Sequence, residues 1–115
     1  MAKQNSVIID PGHGGSDPGK IGVHEEKEKE INLEIALKVE KMLKKKKIKV
    51  IMTRTDDQML DDQSDAGQKV RDLRERVRKI NGEKPVFAVS IHQNSYPDAG
   101  IHGAQVFYYR HSAES

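Results

Sequence analysis

Residues 6–15 of the chain read Ser-Val-Ile-Ile-Asp-Pro-Gly-His-Gly-Gly, and the predicted architecture follows from this segment. Its β-branched first half predicts a strand that ends at Asp10, because Pro11 and Gly12 force a sharp turn directly afterwards. A glycine-rich loop must follow, so His13 is predicted to lie at the carboxyl end of this strand.

Further apolar runs of similar length predict more strands. Residues 48–53 form the second predicted strand. Residues 86–91 are nearly all apolar, which predicts a central strand of a parallel sheet that is covered on both faces. Ala104 to Tyr109 is predicted to be a fourth strand.

Two segments with helical periodicity separate these strands. The first begins in the acidic stretch 25–30 and ends at the lysines of 44–47, which suit the positive and negative ends of a helix dipole. Leu33 and Leu37 lie off its main apolar face, so this helix is predicted to be covered on two sides. The second helix is predicted from four apolar residues at helical spacing, Val70, Leu73, Val77 and Ile80. Its arginines and glutamates are expected to face outward.

Alternating strands and helices indicate an α/β fold, a three-layer αβα domain with a mostly parallel sheet. With 115 residues the chain is too short for two independent domains, so residues 1–115 are predicted to form a single domain. Right-handed crossovers bring the carboxyl ends of parallel strands to one edge of the sheet, where folds of this class bind ligands.

The composition argues against several classes of function. Twenty basic and eighteen acidic residues leave a formal net charge of +2, which gives no support for a nucleic-acid partner. No apolar run is long enough to cross a membrane, and the first residues do not resemble a secretion signal. Because the chain has no cysteine, thiol catalysis is excluded, and any metal must be held by histidine and carboxylate.

Three side chains that can bind a metal are predicted to meet at the sheet edge. His13 and His92 each follow a predicted strand, and Glu28 lies at the start of the first helix, on the same edge. Two imidazoles and one carboxylate form the His₂Glu set of catalytic zinc sites, which leaves a fourth position for water or substrate. Each residue also has an interpretation without a metal. A histidine at a strand end is usually a surface residue, and Glu28 is one of five glutamates between positions 25 and 34.

Five ordered motifs resemble the zinc-dependent N-acetylmuramoyl-L-alanine amidases of bacterial cell walls, of the AmiC-like catalytic type. These segments are distributed in order between residues 7 and 94 of the 115: 7–15, 28–33, 50–54, 76–81 and 90–94. The resemblance implies that His13, Glu28 and His92 are the zinc ligands. The longer insert between Arg54 and Arg71 and the segment 103–109 look more like the sporulation members of the family, which prepare spore cortex peptidoglycan for germination. The alternative is an ordinary difference in loop length.

The resemblance also implies a reaction and a location. The expected substrate is peptidoglycan in the cell wall or spore envelope, outside the cytoplasm, cleaved at the amide between N-acetylmuramic acid and the L-alanine of the stem peptide. In this family a second glutamate, in a C-terminal Glu-x-Gly-Phe-type motif, is the general base, and this sequence contains no such motif. We therefore expect the C-terminal part of the domain and the catalytic base to be missing. The amidase activity of these 115 residues is expected to be at least about 10²-fold below that of a full-length relative.

Several smaller expectations concern individual residues and partners. Asn94 is expected to hydrogen-bond substrate, with a turn residue as the alternative. Arg54 is expected to pair with Asp10, with a contact to a stem-peptide carboxylate as the alternative. Glu114, the last glutamate, matches no catalytic motif. An incomplete domain exposes a sheet edge or a surface on which a helix would pack. This predicts pairing with a second copy or with a regulatory protein.

Three other functions fit parts of the sequence. The first is nucleotide binding, because residues 14–20 match the G-x-x-x-x-G-K part of a phosphate-binding loop. However, Ile21 replaces the required Ser or Thr, and Pro18 removes an amide donor. A non-catalytic module that binds peptidoglycan or a partner would keep the fold and the metal. A carboxypeptidase or deacylase would share the His₂Glu set without the ordered motifs.

Overall fold

The computed structural model describes residues 6–60, 66–94, 100 and 102–108. Strands and helices alternate along this part of the chain: β1 (Ser6–Pro11), α1 (Glu28–Lys45), β2 (Lys49–Met52), α2 (Gln68–Glu83) and β3 (Phe87–Ile91). The predicted α/β class is therefore confirmed. Neither described helix combines the length and the apolar character needed to span a membrane.

The three strands form one parallel sheet in the order β2-β1-β3. Ile9 of β1 is in register with Met52 on one side and with Val89 on the other. The chain leaves β1 in one direction to reach β2 and returns past it to reach β3, and α1 contacts all three strands. All three strands end at the same edge of the sheet, as predicted, and this edge carries the candidate site.

The apolar core lies between α1 and one face of the sheet. Ile9, Ala36 and Met52 are buried at its centre. Half-buried aliphatic side chains surround them, namely Val7, Val39, Leu43, Val50 and Ile91. Burying one large aliphatic side chain contributes about 1.5–3 kcal/mol, so this small cluster fixes α1 on the sheet. The prediction that α1 is covered on two sides is wrong, because the sheet covers only one face and Leu37 stays exposed on the other.

Helix α2 is rotated relative to the prediction. Its buried residues are Asp72 and Arg76, while the apolar stripe formed by Val70, Leu73 and Val77 is between 50% and 62% exposed. The cause is Arg76, whose guanidinium reaches buried acceptors at the carboxyl end of β1. A buried charge is tolerated only when it is paired and hydrogen-bonded, so these bonds set the rotation of the helix.

Strand β3 lies at an edge of the described sheet, so the prediction of a central strand covered on both faces is wrong. The central strand is β1, whose Ile8 and Ile9 are fully buried. Phe87 of β3 remains 64% exposed, because α1 lies mainly over β1 and β2. An apolar run therefore identified a strand here without identifying its place in the sheet.

The predicted fourth strand at Ala104 to Tyr109 is not found where the structure describes this segment. Residues 104–108 form no strand, and Val106, Phe107 and Tyr108 are exposed to solvent. No described strand pairs with them, so the apolar run lacks the ladder hydrogen bonds that would hold it extended. Tyr109 and Glu114 lie outside the described residues.

Candidate metal centre

The structure brings His13, Glu28 and His92 together at the carboxyl edge of the sheet. One potential ligand atom from each residue lies within 4.8 Å of the other two. Oε2 of Glu28 is 3.2 Å from Nε2 of His13 and 3.3 Å from Nδ1 of His92. Two zinc bonds of about 2.0–2.1 Å at a tetrahedral angle place their ligand atoms about 3.3–3.4 Å apart. The donor types suit zinc, and the two distances from Glu28 match this spacing, so Glu28 could share an ion with each histidine.

Each of the three residues is placed by a different element. His13 follows β1 and His92 follows β3, while Glu28 is the first residue of α1. The amide of Glu28 donates to the carbonyl of Lys20 and that of Lys29 donates to the carbonyl of Pro18, so the preceding loop caps the helix. These two bonds satisfy amides that the first turn of a helix leaves unpaired, which fixes Glu28 at the sheet edge.

The carboxylate of Glu28 is buried and held in its charged form. Its oxygens accept hydrogen bonds from the amides of Lys20 and Gln93 and from the side chain of Asn32. Burial alone raises the pKa of Glu28, but these bonds and the nearby charge of His13 outweigh it and leave the pKa below its usual value. Glu28 is thus an anion near neutral pH, as a metal ligand must be.

Two glycines leave the space that the ligands occupy. A Cβ added to Gly12 would lie only 2.3 Å from Cε1 of His92. A Cβ added to Gly19, which has a φ of +71°, would lie 2.7 Å from both Oε1 of Glu28 and Cδ2 of His13. Any other residue at these positions would push a ligand side chain out of place.

The ring of His13 is held at both nitrogens. Its Nδ1 lies 2.8 Å from Oδ2 of Asp17, and its Nε2 faces Glu28. The backbone of His13 has a φ of +63°, a left-handed conformation that non-glycine residues seldom adopt. Burial raises the pKa of Asp17, but hydrogen bonds with His13 and with the amide of Gly19, and the charges of His13 and Lys69, together lower it.

Two buried arginines bind the backbone of the loop that carries His13. Arg76 donates to Oδ1 of Asp10 at 2.8 Å and also to the carbonyls of Pro11 and His13. Arg54 donates to the carbonyls of Pro11 and Gly12. The expected pairing of Arg54 with Asp10 is wrong, because Arg76 from α2 takes that carboxylate and leaves Arg54 to bind carbonyl oxygens. Fixed donors on successive carbonyls hold the loop in the conformation that aims His13 at Glu28.

A third tie joins the same loop to α1 and to the segment after β2. Asp57 accepts hydrogen bonds from the amide of Gly15 at 2.9 Å and from Nζ of Lys29 at 2.7 Å. Lys29 also donates to the carbonyl of Gly15 at 2.8 Å. Three separate segments are thereby fixed to one another beside the site.

Asn94 lies at the rim of the site, two residues after His92. Its side chain is exposed and donates to Oε1 of Gln105 at 3.2 Å. This position is compatible with a contact to substrate, and the role of Asn94 stays a prediction.

Two contributors to the site were missed from the sequence. The predictions from sequence give Asp17 no role. Its position four residues after the candidate ligand His13 is a signal that could have indicated a contact between the two side chains. Arg76 was recognised only as part of a motif, because nothing in the sequence shows that it crosses from α2 to the loop after β1.

The chain resembles known proteins in sequence. Residues 7–115 match the family described as N-acetylmuramoyl-L-alanine amidase. The chain is 40% identical over 112 residues to a germination-specific N-acetylmuramoyl-L-alanine amidase of Bacillus subtilis, an alignment that covers 95% of this chain and 47% of that protein. It is 31% identical over 102 residues to the N-acetylmuramoyl-L-alanine amidase AmiC of Escherichia coli, covering 88% of this chain and 22% of that protein.

Solved structures share the fold. The CwlD amidase from Clostridioides difficile, in complex with the GerS lipoprotein, matches with a TM-score of 0.86 and 35% identity, covering 93% of this chain and 57% of that one. The catalytic domain of CwlV from Bacillus (Paenibacillus) polymyxa matches with a TM-score of 0.69 and 38% identity, covering 83% and 48%. The chain thus spans about half the length, or less, of the curated relatives it matches.

Proposed function

Because the chain belongs to the N-acetylmuramoyl-L-alanine amidase family, we propose that it acts in the zinc-dependent hydrolysis of peptidoglycan. The bond cleaved is the amide between N-acetylmuramic acid and the L-alanine of the stem peptide. The observation that carries this proposal is the convergence of His13, Glu28 and His92, each of which places one potential ligand atom within 4.8 Å of the other two. We propose these three residues as the ligands.

The protein groups around this site suit amide hydrolysis. The chemistry that zinc supplies when bound is Lewis-acid activation of an amide carbonyl and of a water molecule. Two neutral imidazoles and one carboxylate cancel only one of its two positive charges, so the site stays electrophilic. The side chain of His92 is 48% exposed, which leaves one side of the site open to a large substrate such as a glycan strand with its peptides.

The general base is the part of the machinery that this sequence does not supply. The family resemblance implies a glutamate in a C-terminal Glu-x-Gly-Phe-type motif, which the 115 residues do not contain. General-base catalysis contributes about 10²- to 10⁴-fold, so we propose that these residues alone hydrolyse a muramoyl-peptide at least about 10²-fold more slowly than a relative with that glutamate. Turnover by the purified chain equal to that of a relative would contradict this.

A second candidate function is a zinc-containing module that binds peptidoglycan or a protein without cleaving it. The two functions are separated by incubating the zinc-loaded chain with peptidoglycan. Retention on the sediment without release of stem peptides would support the binding module, whereas release of peptides with a new N-terminal alanine would support the amidase.

The similarity to named relatives supports a setting and a partner. A relative at 40% identity is named germination-specific, so we propose a role in the cell wall or spore envelope, outside the cytoplasm. The CwlD amidase was solved in complex with the GerS lipoprotein, which supports a regulatory protein as a partner of this chain as well.

Metal analysis tests the zinc site directly. We expect the purified chain to carry about one zinc ion and a chelator to lower its melting temperature, because a ligand at 100 times its Kd stabilises the native state by about 2.7 kcal/mol. His13→Ala should lose the metal. His102→Ala is the matched control, since His102 is exposed and lies outside the site. Equal zinc in the chain and in His13→Ala would show that the assignment of ligands is wrong.

A further inference from the structure

We propose that Asp17 is a positioning residue that selects which nitrogen of His13 binds the metal. This inference rests on the proposed zinc site and adds to it. In this arrangement His13 binds through Nε2 while His92 binds through Nδ1, so the two histidines are not equivalent ligands. Asp17 acts through His13 and makes no contact with the metal or the substrate.

The geometry around the two imidazoles differs. His13 has a carboxylate at each nitrogen, Asp17 at 2.8 Å from Nδ1 and Glu28 at 3.2 Å from Nε2. His92 turns Nδ1 toward the same oxygen of Glu28, at 3.3 Å. Because Glu28 marks the position of the metal, the nitrogen that faces Glu28 is the ligating one in each ring. An imidazole that binds a metal through one nitrogen carries its proton on the other, so Nδ1 of His13 must be the protonated atom and Asp17 is its acceptor.

Asp17 is itself firmly held, as this role requires. Its side chain is only 10% exposed. Its backbone is fixed by reciprocal hydrogen bonds with Gly14, each 2.9 Å long. Its second oxygen, Oδ1, accepts from the amide of Gly19 at 3.2 Å and lies 3.5 Å from Nζ of Lys69. The two oxygens therefore have separate tasks, one to fix the carboxylate and one to hold the proton of His13.

This division of tasks makes the substitution Asp17→Asn a specific probe. The carboxamide has the same shape as the carboxylate but only one acceptor oxygen, which cannot serve both the amide of Gly19 and Nδ1 of His13. With that oxygen on Gly19, the NH₂ group of the carboxamide would face Nδ1 and favour the tautomer protonated at Nε2. That tautomer cannot bind the metal through Nε2 without losing its proton. The same substitution at Asp56 is the matched control, because Asp56 is exposed and contacts Arg54 through its backbone carbonyl and not through its side chain.

The experiment uses the full 115-residue chain with an NMR-active cadmium isotope in place of zinc and with nitrogen-labelled histidine. In the wild type we expect cadmium to couple to Nε2 of His13 and to Nδ1 of His92, with a slowly exchanging proton on Nδ1 of His13. Asp17→Asn should lose that proton signal and bind zinc about 10- to 100-fold more weakly, as measured by chelator competition. Asp56→Asn should keep the coupling pattern and the zinc affinity of the wild type.

Each result decides one question. Coupling through Nδ1 of His13, or no sheltered proton on that ring in the wild type, overturns the role of Asp17 even if Asp17→Asn does not fold. A folded Asp17→Asn protein with wild-type coupling and affinity also overturns it. If the wild type binds neither cadmium nor zinc, the proposed metal site fails as well, which distinguishes the two failures.

Discussion

At the scale of single residues, the candidate site depends on Gly12, which has no side chain to occupy the space beside His92. Gly12 has ordinary backbone geometry, but a Cβ there would lie 2.3 Å from Cε1 of His92. Gly12→Ala must therefore displace a proposed ligand without straining its own backbone. We expect the zinc affinity to fall at least about tenfold, since small misplacements around metal ligands have effects of this size. Competition with a chromophoric chelator measures the change.

The control for this prediction is the same substitution in α2. A Cβ at Gly82 meets no atom within 4 Å, and alanine is favoured over glycine in a helix by about 1 kcal/mol. Gly82→Ala should leave zinc affinity unchanged and raise the melting temperature. Wild-type affinity in Gly12→Ala would show that His92 is not confined by this contact.

The sequence predicted the residues that meet at the site but not what orients them. The rule that parallel strands end at one edge brings His13, Glu28 and His92 to the same place, but singling out Glu28 from five nearby glutamates depended on the family resemblance. Asp17 pairs with one particular nitrogen of His13, and Arg76 rather than Arg54 binds Asp10. Both contacts depend on how far the side chains reach in three dimensions. Residue order alone carries no such distances.

At the scale of secondary-structure elements, Arg76 fixes α2 to the end of β1. It lies 2.8 Å from carboxylate oxygens of both Asp10 and Asp72, and all three side chains are buried. Arg76→Met keeps the helix propensity but removes the buried positive charge from both carboxylates, which keep only neutral donors such as Thr53 and the amide of Leu60. We expect a loss of about 3–5 kcal/mol in the free energy of unfolding, measured by urea denaturation, because the remaining charges stay buried.

A surface arginine of the same helix provides the comparison. The side chain of Arg78 is 80% exposed and pairs with Glu75 at 3.3 Å. Arg78→Met should change the free energy of unfolding by less than about 0.5 kcal/mol. If Arg76→Met cost no more than this, the position of α2 would have to be set by other contacts.

The tie made by Asp57 predicts a dependence of stability on pH. The hydrogen bond from Lys29 lowers the pKa of Asp57 below 3.8, and burial opposes this more weakly. A carboxylate whose pKa is lower in the folded state stabilises the fold above its unfolded pKa, and this contribution is lost as the pH falls through the folded pKa. Since the side chain is 54% exposed, solvent screening limits the contribution to about 0.5–1 kcal/mol.

We therefore expect Asp57→Asn to be less stable than the wild type at about pH 7, with the difference disappearing below the pKa of Asp57. Urea titrations across this range measure it. Asp17 and Glu28 also have lowered pKa values, but they are present in both proteins, so they cancel from the difference between them. A difference independent of pH would mean that the charge of Asp57 does not contribute.

The existence of the elements was predictable from the sequence, but their orientation was not. The periodicity of Val70, Leu73 and Val77 identified α2 correctly, yet these residues face solvent. An apolar pattern shows which residues form a stripe, but it does not show which surface of the protein covers that stripe. The rotation of α2 was instead decided by one buried guanidinium, whose acceptors lie 63 to 66 positions away in the chain.

At the scale of the whole molecule, the exposed stripe of α2 and the exposed face of β3 predict self-association. Contiguous apolar surface is costly in water, and an edge strand leaves backbone groups free to pair. Leu73 is 62% exposed at the centre of the stripe. We expect the apparent mass to rise with concentration in sedimentation equilibrium. Leu73→Gln should weaken the association about tenfold or more, since burying a leucine contributes about 1.5–3 kcal/mol and about 1.4 kcal/mol corresponds to a factor of ten. Arg74→Gln, at the next exposed position of the same helix, should weaken it far less. A monomeric mass at every concentration would mean that the stripe is not an interface between copies.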